Sequence, residues 1–212
     1  MPTIKNPPMT AEEYATQEWI PKRGWRHLRG PKHQARFAEI ARHLEGETFL
    51  DVGCACGHST EILARMKPGH WTGFDFSESM IAKATELVPS FTNITVGRFQ
   101  CGDGSAAVKP FRHVKDFEAL ATCPPADSVV CSEVIEHVMD DKGLVAALWA
   151  VTGKVLVLTT PNRYIVSPGH HRVYTATDLR DFIAPHADRD GGTFKIYSKG
   201  DFFYVVCRKE AG

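Results

Sequence analysis

Strand-like and helix-like segments alternate along most of this chain. That alternation predicts an α/β protein with a doubly wound, mostly parallel seven-stranded sheet closed by an antiparallel hairpin. Three observations carry the prediction. Short strand-like runs at 48–52, 71–75, 94–99, 128–132 and 155–159 are separated by stretches with apolar residues at helical spacing. The first run ends in a glycine-rich turn, Asp51-Val-Gly53-Cys-Ala55-Cys-Gly57, that leads into a helix. Two further runs, 193–198 and 202–207, flank the turn-like Lys199-Gly200-Asp201.

Each element has its own signal. Residues 1–34, rich in Pro, Trp and basic side chains, read as an N-terminal extension, and 35–212 as the α/β domain. Phe37, Ile40, Ala41 and Leu44 share a helical face that Gly46 ends. Ile62, Leu63 and Met66 mark the helix after the glycine-rich turn, and a second helix runs from Ser77 to about Val88. Leu144, Val145, Leu148 and Trp149 mark another. Val155–Thr159 lacks alternation, which suggests burial on both faces. Thr175-x-x-Asp178 has the form of a capping box before Leu179, Phe182 and Ile183. Residues 104–127, with Pro110, Pro124 and Pro125, are too long for an ordinary connection and read as an insertion.

Composition narrows the class. The 25 basic and 25 acidic residues cancel, which argues against a protein devoted to nucleic acid. No apolar run approaches the ~18 residues of a membrane span, and the first residues lack a signal-peptide core. Six scattered cysteines read as reduced core thiols, and Cys54-x-Cys56 lacks a second pair at zinc-site spacing. A cytoplasmic protein is expected. Charge is nonetheless concentrated at 22–36, where Lys22, Arg23, Arg26, Arg29, Lys32 and Arg36 occur without an acid. Such a run is either a solvated face or a contact for an anion, RNA or an anionic surface.

The chemistry sits at the strand ends. Gly53 allows a tight bend and close approach of a ligand. Asp75 ends the second strand, where a carboxylate reaches two ribose hydroxyls. Gly102-Asp103 follows the third, within reach of an adenine amino group. A Rossmann oxidoreductase is the rival reading, but the closing hairpin disfavours it. Asp51-x-Gly53-x-x-x-Gly57, with Asp75 and Gly102-Asp103, resembles the S-adenosylmethionine (SAM) motifs of class I methyltransferases over residues 35–208. The resemblance implies SAM as cofactor, bound by Gly53, Ala55, Gly57, Asp75, Phe76, Gly102, Asp103 and Ser132. Ala55 departs from the family, which most often has glycine there. One of Arg29, Lys32 or Arg36 is expected at the methionine carboxylate, since related enzymes bring an arginine to that place.

The fourth strand leads into Glu133-Val-Ile-Glu136-His137. A helical turn starting here aligns positions i, i+3 and i+4 on one face, a plausible divalent-ion site with His170 from the next loop. The Glu-x-x-Glu-His pattern resembles ubiquinone-biosynthesis-type O-methyltransferases. It also resembles small-RNA 3′-terminal 2′-O-methyltransferases, in which two Glu, a His and a later His hold magnesium or manganese. That implies Glu133, Glu136, His137 and His170 as metal ligands, against a reading in which the segment only shapes the pocket. Mixed oxygen and imidazole ligands favour Mn²⁺, Fe²⁺, Co²⁺ or Zn²⁺ over Mg²⁺. Glu133 or His137 is the candidate base. The expected function is SAM-dependent O-methylation of a small-molecule metabolite. Metal-dependent RNA 2′-O-methylation and a non-catalytic SAM-binding scaffold are the alternatives.

Overall fold

The computed structural model describes residues 3–4, 26–87, 111–113, 117–164, 169–170 and 172–210. The strands are β1 (Thr3–Ile4), β2 (Thr48–Val52), β3 (His70–Asp75), β4 (Phe111–His113), β5 (Ala126–Ser132), β6 (Thr152–Pro161), β7 (Arg172–Val173), β8 (Thr193–Lys199) and β9 (Phe202–Arg208). The helices are α1 (Pro31–His43), α2 (His58–Met66), α3 (Glu78–Leu87), α4 (Phe117–Ala121), α5 (Asp141–Ala150) and α6 (Ala176–Arg189), with a 3-10 turn at Ile135–His137.

Seven strands form one sheet in the order β4-β3-β2-β5-β6-β9-β8. The first five run parallel, and β9 and β8 close the edge antiparallel, as expected. The strand order reverses direction between β2 and β5, so the crevice outside their carboxyl ends is where this architecture binds ligands. The expected strand at 94–99 lies outside the described residues. Among the described residues the strand beside β3 on its outer side is Phe111–His113, inside the segment expected to be an insertion. A separate two-stranded ribbon pairs β1 with β7.

Side-chain alternation divides the core between the two faces of the sheet. Leu50, Val52, Val129, Leu156 and Leu158 pack with Leu144 and Leu148 of α5 and Leu179 and Ile183 of α6. Phe49, Trp71, Val130, Val155 and Val157 pack with Phe37 and Ile40 of α1 and Leu63 of α2. Helix α1 begins at Pro31, whose fixed φ suits a first turn, so it crosses the boundary drawn at residue 34. The capping box of α6 is present: Asp178 N–H donates to Thr175 Oγ1, and Thr175 N–H to Asp178 Oδ2. Cys54, Cys56, Cys131 and Cys207 are buried free thiols. Cys123 departs from the all-reduced expectation, being disulfide-bonded. Among the described residues, no helix is long and apolar enough to cross a membrane.

Asp127 fixes the amino end of the central strands. Its Oδ2 accepts from Glu47 N–H (2.9 Å), Thr48 N–H (3.1 Å) and Thr48 Oγ1 (3.0 Å), and Lys154 pairs with Oδ1 at 2.8 Å. Burial opposes its charge, but the hydrogen bonds from Lys154 and the two N–H groups hold the carboxyl well below the usual aspartate range. The clasp therefore stabilises the fold at neutral pH and is lost as pH falls below that range. Asp127→Ala is expected to cost about 3 kcal/mol in urea unfolding near pH 7. The gap to wild type should narrow as the titration is repeated below about pH 4.

Candidate active site at the carboxyl edge of the sheet

Strand β2 carries Asp51 into a buried position. Its Oδ2 accepts from Ser59 Oγ (2.9 Å) and Thr60 Oγ1 (2.7 Å) in the first turn of α2. Burial raises its pKa, with those two hydroxyls pulling the other way. Gly53 follows at φ +82°, and a Cβ there would meet Val134 Cγ2 at 2.2 Å. Both space and backbone angle therefore demand glycine. The N–H groups of Gly53 and Cys54 donate to the Phe74 carbonyl at 2.7 and 3.0 Å. Ala55 also lies in the left-handed region, at φ +47°, a conformation glycine adopts with less strain than alanine. Gly57, at φ +80°, caps α2.

Asp75 ends β3 almost fully buried. Its Oδ2 accepts from Ala55 N–H (2.9 Å) and its Oδ1 from Ser77 N–H (2.8 Å). One carboxylate thus ties the glycine-rich turn to the tip of the next strand. Phe76 packs edge-on against Phe117, with ring centroids 5.1 Å apart. Gly102 and Asp103 lie outside the described residues. They precede β4 in the chain, and the first acid after β4 is Asp116, which lies outside them too.

At the tip of β5, Ser132 Oγ lies 2.8 Å from Thr159 Oγ1. Glu133 does not begin a helical turn. It takes φ +60°, a strained conformation of the kind that clusters at functional sites, and only Ile135–His137 is helical. Its N–H donates to the Thr159 carbonyl, and its Oε2 lies 3.3 Å from Arg36 Nη1. Burial lifts the Glu133 pKa to about 7, against the pull of Arg36 and Lys32.

Glu136 is fully buried. Its Oε2 accepts from Thr160 Oγ1 at 3.1 Å, while Oε1 has no hydrogen-bond partner among the described residues. Burial first, then the nearby Glu133, push its pKa well up. His137 and His170 meet edge-on with centroids 4.6 Å apart. The ligating atoms of Glu136, His137 and His170 all lie within 4.8 Å of one another. Three of the four residues expected to share a cation are therefore together, and Glu133 faces Arg36 instead.

Arg36 is 4% exposed, its guanidinium 4.9 and 4.8 Å from the ring centres of Phe37 and Phe202. Its Nε has no hydrogen-bond partner among the described residues. Lys32 is engaged with Asp201 at 2.7 Å, and Lys22 and Arg23 lie outside the described residues. Sequence reasoning missed Thr159 and Thr160 as partners of the two glutamates. Two hydroxyls ending an otherwise apolar strand were the available signal.

A glycine-rich turn, an acid at the second strand tip and a polar cluster at the fourth, on this strand order, define a class I SAM-dependent methyltransferase. The chain belongs to the methyltransferase-domain family, whose profile matches residues 50–155, half its length. It is 25% identical over 162 residues to the probable S-adenosylmethionine-dependent methyltransferase of Mycolicibacterium smegmatis, covering 72% of this chain and 56% of that one. It is 32% identical over 132 residues to the ubiquinone biosynthesis O-methyltransferase of Methylococcus capsulatus, covering 60% and 49%. The chain spans about half the length of these relatives. Among solved structures, the SAM-bound magnesium protoporphyrin IX methyltransferase of Synechocystis shares the fold. Its TM-score is 0.60 at 16% identity, over 97% of this chain and 100% of that one.

The turn yields a paired expectation. Gly53→Ala forces a Cβ into Val134 and should lower stability by about 2 kcal/mol or more in chemical unfolding. Ala55→Gly relieves the left-handed strain and should be neutral to stabilising, by no more than about 1 kcal/mol.

Proposed function

We propose that the protein transfers the methyl group of SAM to a hydroxyl oxygen of a small-molecule acceptor. The observation that carries the reading is the meeting, at one sheet edge, of the Gly53–Asp75 crevice with a half-buried carboxylate, Glu133, whose pKa is pushed up to about 7. In support, one relative that the chain matches is named for ubiquinone-biosynthesis O-methylation.

Methyl transfer asks chiefly for in-line alignment, because the sulfonium is already electrophilic. In this reading Gly53 and Ala55 give the cofactor a close backbone approach, and Asp75 accepts hydrogen bonds from the ribose hydroxyls. On the same reading Phe76, just after β3, and Ser132, at the end of β5, complete the cofactor contacts, and Arg36, whose Nε has no hydrogen-bond partner among the described residues, takes the methionine carboxylate. Asp103 and, by chain order, Asp116 are the two candidates for the adenine contact. The acceptor oxygen must also lose its proton. Glu133 takes it at Oε, since a base with a pKa near the operating pH is both ionised and basic enough.

Glu136, His137 and His170 fit a divalent cation. They converge, they are the mixed oxygen and imidazole set that transition ions prefer, and the buried Glu136 Oε1 has no hydrogen-bond partner among the described residues. Such an ion supplies Lewis-acid polarisation of the acceptor oxygen, and three protein ligands leave it an open position.

Two measurements test the reading. Asp75→Ala should weaken SAM binding at least tenfold by calorimetry, since it removes charge-assisted hydrogen bonds worth about 1.5–3 kcal/mol each. Unchanged affinity overturns the cofactor assignment. The base must be ionised to act, so wild-type kcat should rise with pH through about 7 and then level off. Glu133→Gln should lower kcat roughly 100-fold with little change in KM, and lose that rising limb. Retention of the limb shows that another group accepts the proton.

A further inference from the structure

We propose that Arg36 keeps Glu133 out of the cation site. It holds the Glu133 carboxylate on the α1 side of the sheet edge, leaving a three-ligand centre of Glu136, His137 and His170. The inference rests on the cation-site reading above. It departs from the four-ligand set that the Glu-x-x-Glu-His motif implies.

The backbone separates the two glutamates first. A helical turn from 133 would align Glu133 with Glu136, but φ +60° at Glu133 breaks that register. Their partners on β6 confirm the separation, because consecutive strand residues point to opposite faces. Glu133 is near Thr159, which has the parity of Val155 and Val157 in the α1–α2 core. Glu136 bonds to Thr160, which has the parity of Leu156 and Leu158 in the α5–α6 core.

Charge then fixes the arrangement. Arg36 is nearly buried between two aromatic rings, and Glu133 is the one carboxylate paired with it among the described residues. Moving Glu133 to the cluster would strip a buried guanidinium of its counter-charge, a heavier loss than removing both partners together. Nor is Arg36 able to follow. Three residues on, Glu39 is hydrogen-bonded to Tyr197 and Lys199 of β8, which anchors the same helix face. Arg36 is thus a positioning residue, setting the role of Glu133 as proton acceptor rather than ligand.

Manganese titration followed by electron paramagnetic resonance, on the purified chain without cofactor, tests this without reference to turnover or to any contact of Arg36 with SAM. Wild type should bind one Mn²⁺ and Glu136→Gln should weaken it at least tenfold. Glu133→Gln should leave the affinity within about twofold, since Glu133 is not a ligand. Arg36→Met, whose side chain keeps the contact with both rings, should release Glu133 and tighten Mn²⁺ about tenfold. The double variant Arg36→Met with Glu133→Gln should return to the wild-type value. Loss of packing alone does not tighten a metal, so that gain separates positioning from a structural role. If Glu133→Gln weakens Mn²⁺ as much as Glu136→Gln, or a folded Arg36→Met binds it no tighter, the inference is overturned while the cation site stands. Should Arg36→Met fail to fold, the Glu133→Gln arm decides alone. No Mn²⁺ binding to wild type removes the cation-site reading and this inference with it.

Discussion

The turn after β2 is wedged between the tips of its two neighbouring strands, and the whole carboxyl edge takes its shape from that wedge. On one side the Phe74 carbonyl and the Asp75 carboxylate receive the N–H groups of Gly53, Cys54 and Ala55. On the other, Val134 presses where Gly53 would carry a Cβ. The turn therefore cannot relax toward either neighbour without losing hydrogen bonds or colliding. Val134 in turn sits between Glu133 and the 3-10 turn holding Glu136 and His137. A constraint imposed by the glycine-rich turn thereby fixes the segment that carries the candidate chemistry.

The parallel sheet, its closing hairpin, the glycine-rich turn and the α6 capping box were all legible in the sequence, because each rests on local periodicity or local hydrogen bonding. Features set by distant contacts were not. The i, i+3, i+4 argument for Glu133, Glu136 and His137 assumed helical angles from residue 133, and the left-handed turn there removes the assumption. The partner of Glu133 is 97 positions away in the chain, on a helix whose basic residues looked alike. Phe111–His113, only three residues long and containing Arg112 and His113, carries no strand pattern. It pairs with Gly73–Asp75 of β3.

Helix α1 shows how a polar stripe can dock a helix. Lys32, Arg36, Glu39 and His43 recur at intervals of four, three and four residues, so they share one face. Each meets the closing hairpin or the β5 tip. Lys32 pairs with Asp201, Arg36 with Glu133 and the Phe202 ring, Glu39 with Lys199 and Tyr197, and His43 with Tyr197 at 2.7 Å. Burial works against the charge on Glu39, yet hydrogen bonds from Lys199 and Tyr197 hold its carboxyl down at about 2. Tyr197 stacks on Tyr204, which is buried in the core beneath the helix. The antiparallel hairpin is therefore the platform that aims α1, and with it Arg36, at the strand tips.

That stripe also bears on the basic run at 22–36. Read as a linear sequence, six cations without an acid suggest a surface awaiting an anionic partner. In the fold, two of them meet acids of the same chain: exposed Lys32 pairs with Asp201 and buried Arg36 with Glu133, which lie 169 and 97 positions further along. The zero net charge of the chain is thus expressed locally, by pairs that sequence distance conceals. An electrostatic partner surface needs several like charges facing water together, since isolated ones are screened over about 10 Å. Charge paired with an acid of the same fold attracts a polyanion less than unpaired charge does, so α1 serves the geometry of the site before it serves any contact outside it.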